Sequence, residues 1–127
     1  VIYGVGTDLT DHQRIAAVWQ RHGERFARRL LSAVEFAEFL SHPQPVAFLA
    51  KRWAAKEAIG KATGLGVRAP FLLPAMSIQR DHLGKPVVVF APAAAQWLAE
   101  RQIQRCHLSL SDEKQLSLAF VVLETDE

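Results

Sequence analysis

Three carboxylates and a run of cations stand where they could do chemistry together. Asp8 ends the glycine-punctuated segment IYGVGTD, with Asp11 three residues on, and Glu57 lies far down the chain among Lys51, Arg52, Lys56 and Lys61. Mg²⁺ takes only one or two protein carboxylates and leaves waters and substrate phosphates to complete its shell. Neighbouring lysines and arginines would then hold the phosphate oxygens that the metal leaves free. Two or three of these carboxylates with those cations therefore ask for a phosphorylated substrate. Each piece also has a plainer reading. Asp8 or Asp11 would serve as a helix cap, and Glu57 with Lys61 as a stabilising pair four apart on a solvated helix face.

Other chemistries find little support. His12, His22, His42, His82 and His107 lack ligand spacing and Cys106 is alone, so zinc is not expected. GKAT at 60–63 sits inside a helical segment, with Ala55 where a P-loop needs its first glycine. In HLSLS, His107, Ser109 and Ser111 share one face of a strand, with Leu108 and Leu110 on the other.

These residues need elements to position them. Residues 2–9 read as a strand in which Gly4 and Gly6 allow close approach. Ile15, Ala16, Val18 and Trp19 recur at helical spacing over Asp11 to His22, with a break at Gly23, and a short helix follows through Phe26, Leu30 and Leu31. Ser32 with Glu35 has capping-box spacing for a helix carrying Phe36, Phe39 and Leu40. Pro45 opens the longest helical segment, which Gly64 closes. Met76 and Ile78, the turn HLGKP and VVVFA predict a hairpin. A helix from Pro92 through Trp97, Leu98 and Ile103, then HLSLS, a turn at DEKQ and LSLAFVVLE, complete an α+β domain, its helices packed on a mainly antiparallel sheet. The apolar run Leu118 to Leu123 needs cover on both faces, from its own helices or from another subunit.

The chain has 127 residues, half of them apolar and 22% charged, enough for one domain with a real core and unlike a disordered chain. Its longest stretch without charge, Pro86 to Ala99, contains two prolines and is too short to span a membrane. VIYGVGTD has neither a basic leader nor a long apolar run, so no secretory signal is expected there. One cysteine cannot close an intrachain disulfide, and the expected setting is the reducing cytoplasm. A net charge of +2 hides an asymmetry. Residues 11–30 carry five arginines against Asp11 and Glu24, and residues 51–61 carry four cations against Glu57. The last sixteen residues carry five acids against Lys114. Two basic segments in one domain admit a second reading, a non-catalytic module that binds polyanions.

GVGTD, FLAKRWAAKEAIGKATGLG, LGKP and HLSLSDEK, in this order and in a chain of this length, resemble the holo-acyl-carrier-protein synthases. These form the small bacterial branch of the 4'-phosphopantetheinyl transferases, and the resemblance covers nearly the whole chain. It implies that fold, and transfer of 4'-phosphopantetheine from coenzyme A to a serine of apo acyl carrier protein in fatty acid biosynthesis, releasing 3',5'-ADP. It implies Mg²⁺, with Mn²⁺ as a substitute, on Asp8 and Glu57. Lys61 would lie at the pyrophosphate, and Arg52, Lys56, Gly84, Lys85, Pro86 and His107 would line the nucleotide part of coenzyme A. Glu57, a metal-bound water and His107 are all candidates to take the serine proton. The family's trimers, with sites between subunits, would account for the apolar last strand, and neither nucleic acid nor membrane is an expected partner.

The resemblance also gives the first basic segment a role. Arg14, Val18, Arg21 and Arg25 form one stripe if the helix continues past Gly23, with Phe26 beyond, and the stripe matches the family's docking surface for the acidic carrier protein. The chain departs from the family's usual residues at Asp11, Trp53, Thr63 and Leu65. Asp112 carries no assigned role.

Overall fold

The computed structural model describes residues 1–126. Glu127, the last of the C-terminal acids, lies outside the described residues. In chain order, β1 is Ile2–Asp11, α1 His12–His22, α2 Glu24–Leu30, α3 Ala33–Leu40 and α4 Pro45–Thr63. After a single 3-10 turn come β2 Met76–Arg80, β3 Pro86–Phe90, α5 Pro92–Glu100, β4 Ile103–Glu113 and β5 Leu116–Thr125. The strands form an antiparallel three-stranded sheet in the order β1-β5-β4 and a separate antiparallel hairpin, β2-β3. This is the α+β architecture expected from the hydrophobic pattern.

Strand alternation explains why α4 lies where it does. Gly4, Gly6, Asp8 and Thr10 point inward from β1, and a Cβ on Gly6 would stand 1.9 Å from the Ala58 carbonyl oxygen. At Gly4 the same added atom would meet the Ala62 carbonyl at 2.0 Å. Only residues without side chains let the α4 backbone rest on the strand. The alanines at 54, 55, 58 and 62 are the complementary half of that contact, all buried. One core lies between α4, the sheet, the hairpin and α5, around Ile59, Phe71, Met76 and Val121. A second lies between α1, α2, α3 and α4, around Ile15, Leu30, Phe39 and Phe48.

The termini of the elements follow local chemistry. Asp11 caps α1, accepting from the Gln13 N–H at 2.8 Å. Both arms of the Ser32–Glu35 capping box are formed. Pro45 starts α4 and Gly64, at φ 86°, ends it, while the Thr63 hydroxyl donates to the Gly60 carbonyl at 2.7 Å. The expected break falls at Gly23 (φ 58°, ψ −138°), which separates α1 from α2, so the basic stripe does not run along one helix. One expectation needs correction. Ile103 begins β4 instead of ending α5, because the chain turns at Arg101 and at Gln102, which has φ 61°.

The outer face of the large sheet is not covered by its own chain. Val5 is 50% exposed, Leu9 62%, Leu118 43% and Phe120 43%. On the inner face of the same final strand, Ala119, Val121 and Leu123 are buried.

Candidate active site

Asp8, Glu57 and Lys61 meet where β1 runs along α4. Gly4 and Gly6 bring the helix down, and Asp8 is the next inward position. Its Oδ2 accepts from the Thr10 hydroxyl at 2.5 Å, and its Oδ1 lies 3.6 Å from Lys61 Nζ. Lys61 also donates to the Thr7 carbonyl at 2.8 Å, which holds its ammonium beside the strand. Glu57 shares the Lys61 face of α4, one turn earlier. Partial burial pushes the Glu57 carboxyl up, and the Asp8 charge adds to this; Lys61 and Arg14 offset it only in part. Two carboxylates close enough to repel, with one exposed lysine, form an under-neutralised acidic pair open to solvent. That donor set suits a hard cation completing its shell from waters and phosphates. No group of three or more His, Cys, Asp or Glu forms a self-sufficient metal cage among the described residues.

Arg52 and Lys56 are not at this site, and the expectation that they line a nucleotide pocket is corrected. Lys56 is fully buried and donates to Glu35 Oε1 and to the Leu30 carbonyl, both at 2.6 Å. Arg52 is 3% exposed, with its guanidinium 3.9 Å from the centre of the Phe48 ring and its Nη2 on Glu38 and on the Ile78 carbonyl. Glu35 joins the cluster together, accepting also from the Ser32 and Ile78 N–H groups at 2.9 Å each. Burial pulls the Lys56 ammonium down to about 8 even with Glu35 beside it. Neither cation has a free face for a ligand. Nothing in the local spacing of Arg52 and Lys56 marks them as enclosed.

The nucleotide-side candidates lie elsewhere. Gly84, at φ 85°, and the exposed Lys85 form the β2–β3 turn, which the Asp81 carboxylate closes by accepting from the Leu83 and Lys85 N–H groups. Pro86 helps line a pocket of about 140 Å³ with Lys51, Arg80, Leu110, Ser111 and Asp112. There Asp112 pairs with Lys51 at 3.0 Å and accepts from Ser117 at 2.6 Å, and Ser117 in turn accepts from His12 Nε2 at 2.8 Å. His107 is half exposed on the outer face of β4, its Nε2 2.9 Å from Glu124 Oε1. In register, His107 faces Val122, and Val122 faces Val5. His107 is therefore two strands away from β1 and on the opposite face of the sheet from Asp8. One chain does not bring the two halves together.

The docking candidates are exposed at Arg14, Arg21 and Arg25 and half-buried at Val18 and Phe26. Arg14 lies 5.7 Å from the Trp53 ring and Phe26 packs on the same indole at 6.2 Å, so Trp53 joins the two helices beneath them. An open cavity of about 440 Å³ adds His22, Arg28 and Arg29 to Arg25 and Phe26. Those three additions were visible only as charge in the sequence, because the break at Gly23 decides which way they face.

A protein-family model for the 4'-phosphopantetheinyl transferase superfamily matches residues 4–121. The holo-[acyl-carrier-protein] synthase of Nitrosomonas europaea is 52% identical over 98% of this chain and 99% of its own length. The crystal structure of the Neisseria meningitidis synthase superposes with a TM-score of 0.96 at 45% identity, covering 98% of this chain and all of the other. The Bacillus anthracis synthase, solved in complex with coenzyme A (3',5'-ADP), gives 0.81 at 28% identity, covering 98% of each chain. The chain belongs to the 4'-phosphopantetheinyl transferase superfamily, in its holo-[acyl-carrier-protein] synthase branch. It is an enzyme of that kind, and the reading as a non-catalytic polyanion binder gives way.

Proposed function

We propose that the chain transfers 4'-phosphopantetheine from coenzyme A to a serine hydroxyl of apo acyl carrier protein, releasing 3',5'-ADP, as a step that equips fatty acid biosynthesis. The observation that carries this reading is the open, under-neutralised pair of Asp8 and Glu57 with Lys61 at 3.6 Å from Asp8, in a chain of this family. Asp8 and Glu57 would hold Mg²⁺, or Mn²⁺ in its place, and the cation supplies Lewis-acid polarisation of the attacked phosphate. Lys61 offsets the charge that builds on the departing 3',5'-ADP. The serine oxygen forms its bond to the β-phosphorus as the bond to the bridging oxygen breaks. The serine proton passes to a base at the site, for which Glu57, a water and His107 are the candidates.

Gly84, Lys85, Pro86 and His107 contact the nucleotide of coenzyme A from a neighbouring subunit in a homotrimer. This is supported by the place of His107 on the far side of the sheet from Asp8, by the separate hairpin that carries Gly84, Lys85 and Pro86, and by the uncovered apolar face at Val5, Leu9, Leu118 and Phe120. Arg14, Val18, Arg21, Arg25 and Phe26, with the flanking Arg28 and Arg29, dock the acidic carrier protein. Cys106 is a free thiol, its pKa pushed up to about 12 by burial, which suits a reducing cytoplasm. No helix among the described residues is long and apolar enough to cross a membrane.

The test is to incubate the protein with apo carrier protein, coenzyme A and Mg²⁺ and weigh the carrier. A phosphopantetheine mass increment that disappears on chelation is expected. A competent carrier left unmodified would overturn the reading.

A further inference from the structure

The end of β5 holds a carboxylate that serves two cations at once. Glu124 Oε1 lies 2.9 Å from His107 Nε2 and 2.9 Å from Arg105 Nε, and Arg105 Nη1 continues to Asp126 at 3.0 Å. The placement comes from the sheet: Arg105 and Glu124 are direct cross-strand partners, and His107 is the next residue of β4 on the same face. Hydrogen bonds from His107 and Arg105 hold the Glu124 carboxyl down at about 2, so it is ionised throughout the neutral range. A carboxylate only accepts hydrogen bonds, so the proton of this contact sits on His107 Nε2. The ring is thereby oriented with Nδ1 turned away from Glu124 on a half-exposed side chain. A lone exposed ion pair is weak, but here Arg105 restrains the carboxylate from a second side on the same ladder.

We propose that Glu124 is the positioning residue for His107, fixing its tautomer and ring orientation so that Nδ1, left as an acceptor, is presented to a hydroxyl or amino donor on the nucleotide part of coenzyme A. This rests on the reading above that His107 faces the nucleotide. The relation is that of an outer carboxylate steering a histidine whose other nitrogen meets the ligand. Arg105 and Asp126 keep Glu124 from rotating away when the ligand leaves.

A double-mutant cycle on the full-length enzyme tests it, with coenzyme A varied at saturating carrier protein. Glu124→Ala is expected to raise the KM for coenzyme A about tenfold and to leave kcat within a factor of about two. Added to His107→Ala, the same substitution should change KM by less than about twofold, because the group it steers is gone. A further several-fold rise in that background, or a fall in kcat at unchanged KM, would overturn the proposal. Glu124→Gln keeps the shape and an accepting oxygen and is expected to fall between wild type and Glu124→Ala. Long-range ¹H–¹⁵N spectra of the ligand-free protein give an activity-independent readout. His107 should show the Nε2-protonated form in the wild type and a mixture of tautomers in Glu124→Ala; a mixture already in the wild type sinks the idea. If His107→Ala leaves the KM for coenzyme A unchanged, the assignment of His107 itself fails and the proposal with it. If His107→Ala raises KM and Glu124→Ala does not, the proposal alone fails.

Discussion

On α4, Arg52 and Lys56 are enclosed by Glu35, Glu38, Phe48 and the Leu30 and Ile78 carbonyls, whereas Glu57 and Lys61 stand open beside Asp8. Both clusters set carboxylates against cations, and Lys56 and Glu57 are adjacent, about 100° apart around the helix. In the first cluster a carboxylate of the same chain meets the cations and water is excluded, so it joins α3 and β2 to α4. In the second, partial burial and the Asp8 charge raise the Glu57 carboxyl more than Lys61 and Arg14 relieve it, which leaves room for a cation from outside. Charge on a helix is thus no guide to a site until its partners are known.

Breaking the enclosed cluster should have the largest effect on folding. Glu35→Ala leaves two buried cations without their carboxylate and is expected to cost about 3–5 kcal/mol, read by denaturant unfolding. Replacing Glu35 and Lys56 together by Leu and Met should cost far less. A loss under about 1 kcal/mol for Glu35→Ala would erase the contrast between the two clusters, since that is what an exposed pair gives.

The open cluster should show the reverse division. Glu57→Gln is expected to leave stability unchanged or slightly raised while transfer falls by at least about 100-fold, measured by carrier mass over time. Carrier docking should survive in this variant. Equal loss of docking and transfer would mean that the substitution disturbs α4 as a whole.

A smaller effect reports the same imbalance without chemistry. The Glu57 pKa is raised on folding, so its contribution to the stability of the metal-free protein is fully present below the unfolded value and lost as pH rises through the folded one. Mg²⁺ should restore it where Glu57 is ionised. Melting curves are expected to show a rise with Mg²⁺ of about 2–4 °C near pH 7.5 and a smaller one at a pH low enough to protonate Glu57. An equal rise at both would remove Glu57 from the proposed metal site.

The mildest change lies on the proposed docking surface. Arg14→Ala should raise the KM for carrier protein by about fivefold at low salt, with kcat kept at saturating carrier and the difference shrinking as salt increases. A salt-independent effect would instead point to the contact with Trp53.

Much of this molecule is written locally. The capping box at Ser32, the proline and glycine that bound α4, and the alternation of His107, Leu108, Ser109 and Leu110 each depend on neighbours within one or two turns. The fate of Arg52 and Lys56 was not legible, because α4 is buried almost all round and no polar stripe marks an outside. The break at Gly23 was readable, yet its consequence for Arg25 and Phe26 was not, since a φ of 58° at one residue redirects everything after it. Glu124 carried no signal of its own; it acquires one only from the register that sets it against Arg105 and beside His107.

The sequence by itself determined most of the elements, their caps, the family and the shared helix face of Glu57 and Lys61, because these follow from spacing along one backbone. The tertiary structure decided which charges are enclosed and which are open, that Asp8 rather than Asp11 meets α4, and that His107 lies on the opposite face of the sheet from the carboxylates. Those outcomes depend on which distant segments pack together. Two glycines that admit a helix onto a strand, and a strand order that sets β5 between β1 and β4, bring residues together or part them in ways no local spacing encodes.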